Sequence, residues 1–237
     1  RPSCVQQPCP LQLVRLREQL LAAGVAEVDT EILGRPLHQG LPDLMHEHPR
    51  GLLAIGSRGE GSLREGLLGS TADRVLRAGA CPVLLCRGEP RPWRNVALAT
   101  DFSPTSAQAA RLGLLLAPRA SFYLLHACEL AIDRGLAFAN ASPQTRLAYE
   151  QEAWSDASRQ IETFAAALGP TSASLTRAPR RGPPRAVLSA FVAEAAIDLV
   201  VLGARPRARW EANLLGSTAL FASHRLECDV LLVPGLA

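Results

Sequence analysis

The sequence predicts an α/β fold made of two similar units, each an open, parallel, five-stranded sheet with helices on both faces. Three observations predict this fold. A long segment of the chain recurs, and the second copy alternates buried apolar runs with helical patterns in the order β, α, β, α. Apolar runs such as 198–204 show no polar alternation, which is typical of parallel strands that helices cover on both sides.

The repeat joins residues 54–86 to residues 201–233, which align without gaps at an offset of 147 positions. Identical residues include the glycines at 56 and 203, the arginines at 58 and 205, the block LLGSTA at 67–72 and 214–219, and VLL at 83–85 and 230–232. One unit has therefore been duplicated.

The second unit is predicted in full. Its first strand is the apolar run 95–101, after which Ser103 and Pro104 supply the N-cap and first residue of a helix that runs through Leu116. Apolar periodicity and Gly or Pro boundaries place the remaining elements. These are a strand at 121–127, a helix at 146–168, a strand at 173–178, a helix at 185–196, a strand at 198–204, a helix from 217 and a strand at 229–234.

The first unit is predicted to lack its first two strands, because the offset places them before residue 1. Its expected elements are a helix at 11–23, a strand at 25–33, a helix at 37–48, a strand at 51–56, a helix from 70 and a strand at 82–86. The Pro- and Arg-rich segment 87–95 then links the units. We therefore expect two domains, 1–89 and 90–237.

The charged residues exclude several functions. All 25 basic residues are arginine, so the chain has neither the lysine of a P-loop nor a lysine for Schiff-base catalysis. The net charge is only +3, and the basic residues are interspersed with acidic ones, so no nucleic-acid partner is expected.

Cysteine and histidine spacing argues against metal sites. The six cysteines form no C-x-x-C pair, which favours a reduced, cytoplasmic protein with Cys81 and Cys228 as packing residues. His46 and His48 lie two apart on a predicted helix and so point to different faces. The apolar stretch 186–204 contains two acidic residues, so no membrane span is expected.

The repeated loop has the features of a phosphate site. In the first unit, Gly56 and Gly59 follow a buried strand, and after nine residues Gly69, Ser70 and Thr71 begin a helix. Glycines allow a ligand to approach the backbone closely, and the free amides of a helix N-terminus attract anions. The loop also follows the carboxyl end of a parallel strand, where open α/β sheets bind their ligands.

This pattern, G-x2-G-x9-G-S/T followed by the strand CPVLL, resembles the ATP-binding signature of universal stress proteins. The segments VALATDFS and LLHA add to the resemblance. It implies an adenine-nucleotide α-hydrolase-like (Rossmann-like) fold, a stress-response role, and ATP or a related adenine nucleotide as ligand, with Mg²⁺ held by the phosphates.

The resemblance also implies a set of nucleotide contacts. In the first unit these are Ile55, Gly56, Arg58, Gly59, Gly69, Ser70 and Thr71; in the second they are Asp101, Leu202, Gly203, Arg205, Gly216, Ser217 and Thr218. Pro206 replaces the second glycine of the second loop, which removes an amide and favours the first loop as the working site.

Simpler interpretations of these residues remain open. Both loops can serve as tight βα connections, and Asp101 can cap the helix at Ser103. His126, at the end of a buried strand, is interpreted as a core histidine.

Three functions remain open. The first is a nucleotide-binding stress or regulatory protein with at most slow ATP hydrolysis, since no base is placed to activate water. The second is a nucleotide-free interaction module with unidentified protein partners. The third, an adenylating enzyme or pyrophosphatase, requires a glycine-rich signature that DFSPTS lacks.

The resemblance further implies an intramolecular pseudo-dimer through CPVLLC and DVLLVP, and that whole chains can pair again as a homodimer.

Overall fold

A computed structural model of the chain describes residues 10–32, 34–57, 68–129, 142–169, 175–204 and 215–235. Seven strands form one sheet in the order β1-β2-β7-β6-β3-β4-β5. The strands are β1 (Leu53–Gly56), β2 (Val83–Cys86), β3 (Asn95–Ala99), β4 (Ser121–Cys128), β5 (Leu175–Arg181), β6 (Leu199–Ala204) and β7 (Asp229–Pro234). The helices are α1 (Pro10–Ala22), α2 (Leu37–Glu47), α3 (Ser70–Ala78), α4 (Pro104–Leu116), α5 (Pro143–Ala167), α6 (Pro184–Glu194) and α7 (Ser217–Arg225).

The second unit has the predicted architecture. Strands β3 to β7 pair in parallel throughout, in the order β7-β6-β3-β4-β5. Helix α4 begins as predicted, because the side chain of Ser103 accepts a hydrogen bond from the Ser106 amide and Pro104 follows it. The five-stranded parallel sheet is confirmed.

Helices cover both faces of the sheet. Along β6, Val200 and Leu202 join a core with α3, α6 and α7 on one face, whereas Leu199 and Val201 join a core with α4 and α5 on the other. All four side chains are buried. The uninterrupted apolar run in this strand thus reflects burial on both sides.

The two units meet through β2 and β7, which pair antiparallel. Val83 lies opposite Leu232, and Leu85 lies opposite Val230. The predicted pairing of the segments CPVLLC and DVLLVP is therefore observed, and one sheet runs through both units.

One predicted strand is absent. Residues 25–32 of the predicted strand 25–33 are described, and they form no strand. Its equivalent in the second unit, β5, pairs with β4, but the described part of the first unit contains only β1 and β2. A strand needs a neighbour for its backbone hydrogen bonds, so this segment is left as an irregular connection.

The linker is fixed by two carboxylates at the start of β6 and β7. Asp198 accepts hydrogen bonds from the backbone amides of Arg94 (2.9 Å) and Asn95 (3.0 Å). Asp229 accepts one from the Trp93 indole at 2.8 Å.

Among the helices described, none has the length and apolar character needed to cross a membrane.

Candidate functional site

A cavity of about 420 Å³ opens at the carboxyl ends of β3, β4 and β6 in the second unit. The strand order reverses here, because β3 leads through α4 to β4 on one side and β6 leads through α7 to β7 on the other. Open α/β sheets bind ligands at such a point. The cavity is lined by Ala99, Thr100, Asp101, Ser106, Leu125, His126, Ala127, Pro184, Val187, Leu188, Leu202, Gly203, Gly216, Ser217, Thr218 and Ala219.

Asp101 lies in the turn between β3 and α4, at the wall of the cavity. Its Oδ1 accepts a hydrogen bond from the Ser103 amide at 3.0 Å, so Asp101 does form the local turn that one interpretation of the sequence gave it. The helix cap itself comes from Ser103. A single side chain therefore both shapes the turn and presents a carboxylate at the cavity.

Thr100 ties this turn to its surroundings. Its Oγ1 accepts a hydrogen bond from the Phe102 amide at 2.8 Å and lies 2.9 Å from Oγ of Ser106. Its backbone amide donates to the Leu125 carbonyl of β4 at 2.9 Å. The carboxyl ends of β3 and β4 are thus held together at the cavity.

His126 lies at the same edge of the sheet, half-buried near the carboxyl end of β4. Its Nδ1 lies 2.9 Å from the Thr100 carbonyl oxygen, and because a carbonyl only accepts, Nδ1 carries the proton. Burial lowers the pKa of His126, although this hydrogen bond and the charge of Asp101 act in the opposite direction. The imidazole is therefore favoured in its neutral form.

Gly203 allows β6 to approach the start of α4. A Cβ atom on Gly203 would lie 2.9 Å from the backbone nitrogen of Ser106 and 3.1 Å from the carbonyl carbon of Thr105. These distances leave no room for a side chain. The glycine identified in the repeat is therefore required by packing beside the cavity, whatever the cavity binds.

The N-terminus of α7 forms another part of the cavity wall. Gly216 is its N-cap, with an extended backbone (φ −57°, ψ 150°) and no side chain to cap the helix. Ser217 and Thr218 follow in the first turn, and both line the cavity. Helix N-termini present free amides and a partial positive charge, so this wall is suited to an anionic group.

The first unit arranges the equivalent residues differently. Gly69 is the N-cap of α3, and Ser70 and Thr71 follow it, exposed. Ile55 and Gly56 end β1, which pairs only with β2 among the strands described. In the second unit β6 has β3 beside it, and this neighbour contributes Thr100 and Asp101 to the cavity. The cavity described here thus lies in the second unit, whereas the loop sequences favour the first.

The structure does not describe residues 58–67 and 205–214 of the two loops, which include four residues that the sequence analysis singled out: Arg58, Gly59, Arg205 and Pro206. Sequence reasoning missed the wall that α6 provides, formed by Pro184, Val187 and Leu188, and it interpreted His126 only as a core residue. The segment LLHA already placed His126 at the carboxyl end of a parallel strand, which was the available signal.

Comparison with known proteins agrees with the fold. The universal stress protein family model matches residues 6–87 and 92–234. Universal stress protein Rv1996 of Mycobacterium tuberculosis is 35% identical over 88 residues, which cover 35% of this chain and 28% of that protein. The match thus spans less than a third of the curated relative.

Solved structures cover more of the chain. A candidate universal stress protein from Pseudomonas aeruginosa UCBPP-PA14 superposes with a TM-score of 0.67 at 21% identity, over 94% of this chain and 77% of that one. A universal stress protein from Archaeoglobus fulgidus gives a TM-score of 0.66 at 19% identity, over 94% and 76%. These identities show a shared fold. Because the family model matches most of the chain in two consecutive segments, the protein belongs to the universal stress protein family.

Proposed function

We propose that the protein binds an adenine nucleotide, ATP or a related one, in the cavity of the second unit, and that the nucleotide sets its conformation or partner surface in a stress response. The observation that carries this proposal is that Asp101 and the N-terminus of α7 line the same cavity. A carboxylate suits the hydroxyls of a ribose, and a helix N-terminus suits phosphates.

The size and walls of the cavity fit this ligand. A volume of about 420 Å³ lies within the range of small-molecule sites. Leu125, Val187 and Leu202 give the cavity apolar walls that suit a planar base. The family resemblance implies the same ligand class and the same residues at Gly203, Gly216, Ser217 and Thr218.

We propose binding without efficient turnover. Asp101 and His126 are the acidic or basic side chains among the described lining residues, and Nδ1 of His126 is engaged by Thr100. This contact leaves Nε2 of His126 as the ring nitrogen that could accept a proton. The proposal of slow hydrolysis therefore rests on the sequence, in which no base is placed to activate water. Mg²⁺, when bound, would be held by the phosphates themselves.

We further propose a cytoplasmic setting, because the unpaired spacing of the cysteines suits a reducing compartment. Burial raises the pKa of the Cys228 thiol to about 11 and also raises that of Cys81. Both thiols therefore remain protonated and unreactive in the folded chain.

The test is calorimetric titration of ATP, with and without Mg²⁺, into the wild-type protein and two matched variants, Gly216→Asp and Gly69→Asp. Both glycines are N-caps with negative φ and extended ψ, so aspartate suits the backbone and caps the helix. The new carboxylate occupies the first-turn amides and repels a phosphate.

We expect Gly216→Asp to weaken ATP binding at least tenfold and Gly69→Asp to change it little. The reverse result would move the site to the first loop. Absence of ATP binding by the wild-type protein would reject the proposed function and favour a nucleotide-free interaction module.

A further inference from the structure

The turn between β3 and α4 contains an unusual backbone conformation. Phe102 has φ of +61°, in the left-handed region that bulky side chains rarely adopt. Such a conformation is strained and persists only where the surroundings hold it. Asp101, the acidic residue of the cavity, is the immediate neighbour of Phe102, so whatever holds Phe102 also sets the place of the carboxylate.

His126 contacts the residues on both sides of Asp101. Its Nδ1 donates to the Thr100 carbonyl at 2.9 Å, and its ring stacks on Phe102 with the ring centroids 4.2 Å apart. Phe102 is further supported by an edge-on contact with Phe164, at 5.8 Å between centroids. One side chain at the end of β4 thus holds Thr100 and Phe102 together.

We propose that His126 is a positioning residue: it holds the left-handed turn that keeps Asp101 at the wall of the cavity, and it thereby determines how tightly the nucleoside part of a ligand binds. This inference rests on the proposed function. In this role His126 changes the affinity for the ligand through Asp101, and it does not contact the phosphates of the ligand.

The first experiment needs no ligand. The Phe102 amide donates to Thr100 and the Ser103 amide donates to Asp101, so hydrogen exchange at these two amides reports on the turn. We expect His126→Leu to speed exchange at both by about tenfold. His126→Asn retains an N–H donor near the position of Nδ1 and should restore much of the protection, which separates loss of this contact from general unfolding.

The second experiment measures adenosine and ATP binding to the same variants by calorimetry. His126→Leu should weaken both ligands by the same factor, roughly fivefold, as expected for loss of one ordinary hydrogen bond. Because adenosine has no phosphates, an equal loss of affinity for both ligands shows that the effect concerns contacts with the nucleoside part. In an Asp101→Asn background the same substitution should have little further effect, because His126 acts through Asp101.

The outcomes separate the two proposals. Absence of nucleotide binding by the wild-type protein rejects the proposed function and, with it, the effect of His126 on a ligand. If the wild-type protein binds, unchanged exchange in His126→Leu, or an undiminished loss of affinity in the Asp101→Asn background, overturns the positioning role.

Discussion

Leu84 in β2 lies opposite Leu231 in β7, and these two residues occupy the same position in the two copies of the repeat. The flanking pairs are symmetric too, since Val83 faces Leu232 and Leu85 faces Val230. An antiparallel pair centred on equivalent residues has a local twofold axis, as in a symmetric dimer. The two units are therefore joined as two subunits would be, but within one chain.

Replacing Leu231 with alanine should destabilise the junction and the sheet. Its side chain is fully buried in the core under α4 and α5, on the strand that lies between β2 and β6. The loss should therefore be about 2–5 kcal/mol of unfolding free energy. Urea unfolding followed by circular dichroism measures this loss. Leu115→Ala is the control, because Leu115 is 77% exposed and its loss should stay within about 0.5 kcal/mol. Similar losses in the two variants would contradict the central place of Leu231.

Replacing Asp229 with alanine should loosen the linker. Its Oδ1 accepts a hydrogen bond from the Arg87 amide at 2.6 Å, and its Oδ2 accepts one from the Trp93 indole at 2.8 Å. Without the carboxylate both donors lose this acceptor. We expect tryptic cleavage after Arg87 and Arg94 to become several-fold faster, as mass spectrometry would show. The control is Glu89→Ala, an exposed carboxylate of the linker, and equal cleavage rates in the two variants would count against the prediction.

Asp73 should make stability depend on pH in the acid range. Its Oδ2 accepts a hydrogen bond from Arg77 at 2.8 Å, and its Oδ1 lies 3.6 Å from Nε2 of His224 in the other unit. The hydrogen bond from Arg77 is the main cause that holds the pKa of Asp73 below its ordinary value of 3.8, against the effect of burial. Because the folded pKa is lowered, this stabilisation is present above about pH 4 and is lost as the pH falls through the folded pKa.

Asp73→Asn removes that stabilisation, so its unfolding free energy should be lower than that of the wild type above pH 5, by up to about 1 kcal/mol. This difference in unfolding free energy between the wild type and Asp73→Asn should disappear in more acidic solution. Urea unfolding between pH 2.5 and 7 measures it, and Arg77→Ala should reduce the same pH dependence. A gap of constant size over the whole range would contradict this origin.

The sequence predicted most of the elements because their signals are local. Ser103 and Pro104 mark the start of α4, and the apolar run of β6 marks a strand buried on both faces. The strand expected at 25–33 failed for a nonlocal reason, since its apolar residues have no neighbouring strand among the described residues of the first unit. The repeat predicted a strand at 25–33 by analogy with β5, but the described residues of the first unit include no strand equivalent to β4 that could pair with it.

The candidate site was less predictable. Gly203 and Asp101 were recognisable from loop chemistry and the resemblance, but the contribution of α6 depends on how that helix packs over β4, which no local signal records. His126 was visible at a strand end, yet its contacts with Thr100 and Phe102 arise only when β3 and β4 pair. The loop sequences favoured the first unit because Pro206 replaces a glycine in the second loop, and they carry no information on the strand beside each loop.

Gly203→Ala should destabilise the fold and change the shape of the cavity. The new Cβ would lie 2.9 Å from the Ser106 nitrogen and 3.1 Å from the Thr105 carbonyl carbon. Both atoms are backbone at the start of α4, so either the helix or β6 must shift. We expect a loss of about 1–3 kcal/mol on urea unfolding.

The matched control is Gly34→Ala, where a new Cβ meets nothing within 4 Å and should leave stability nearly unchanged. The shift at Gly203 also moves Ser106, whose hydroxyl is hydrogen-bonded to that of Thr100 beside the cavity. We therefore expect Gly203→Ala to weaken ATP binding even where the variant is fully folded, because the turn that carries Asp101 moves with α4. Normal affinity together with lowered stability would show that Gly203 serves packing alone.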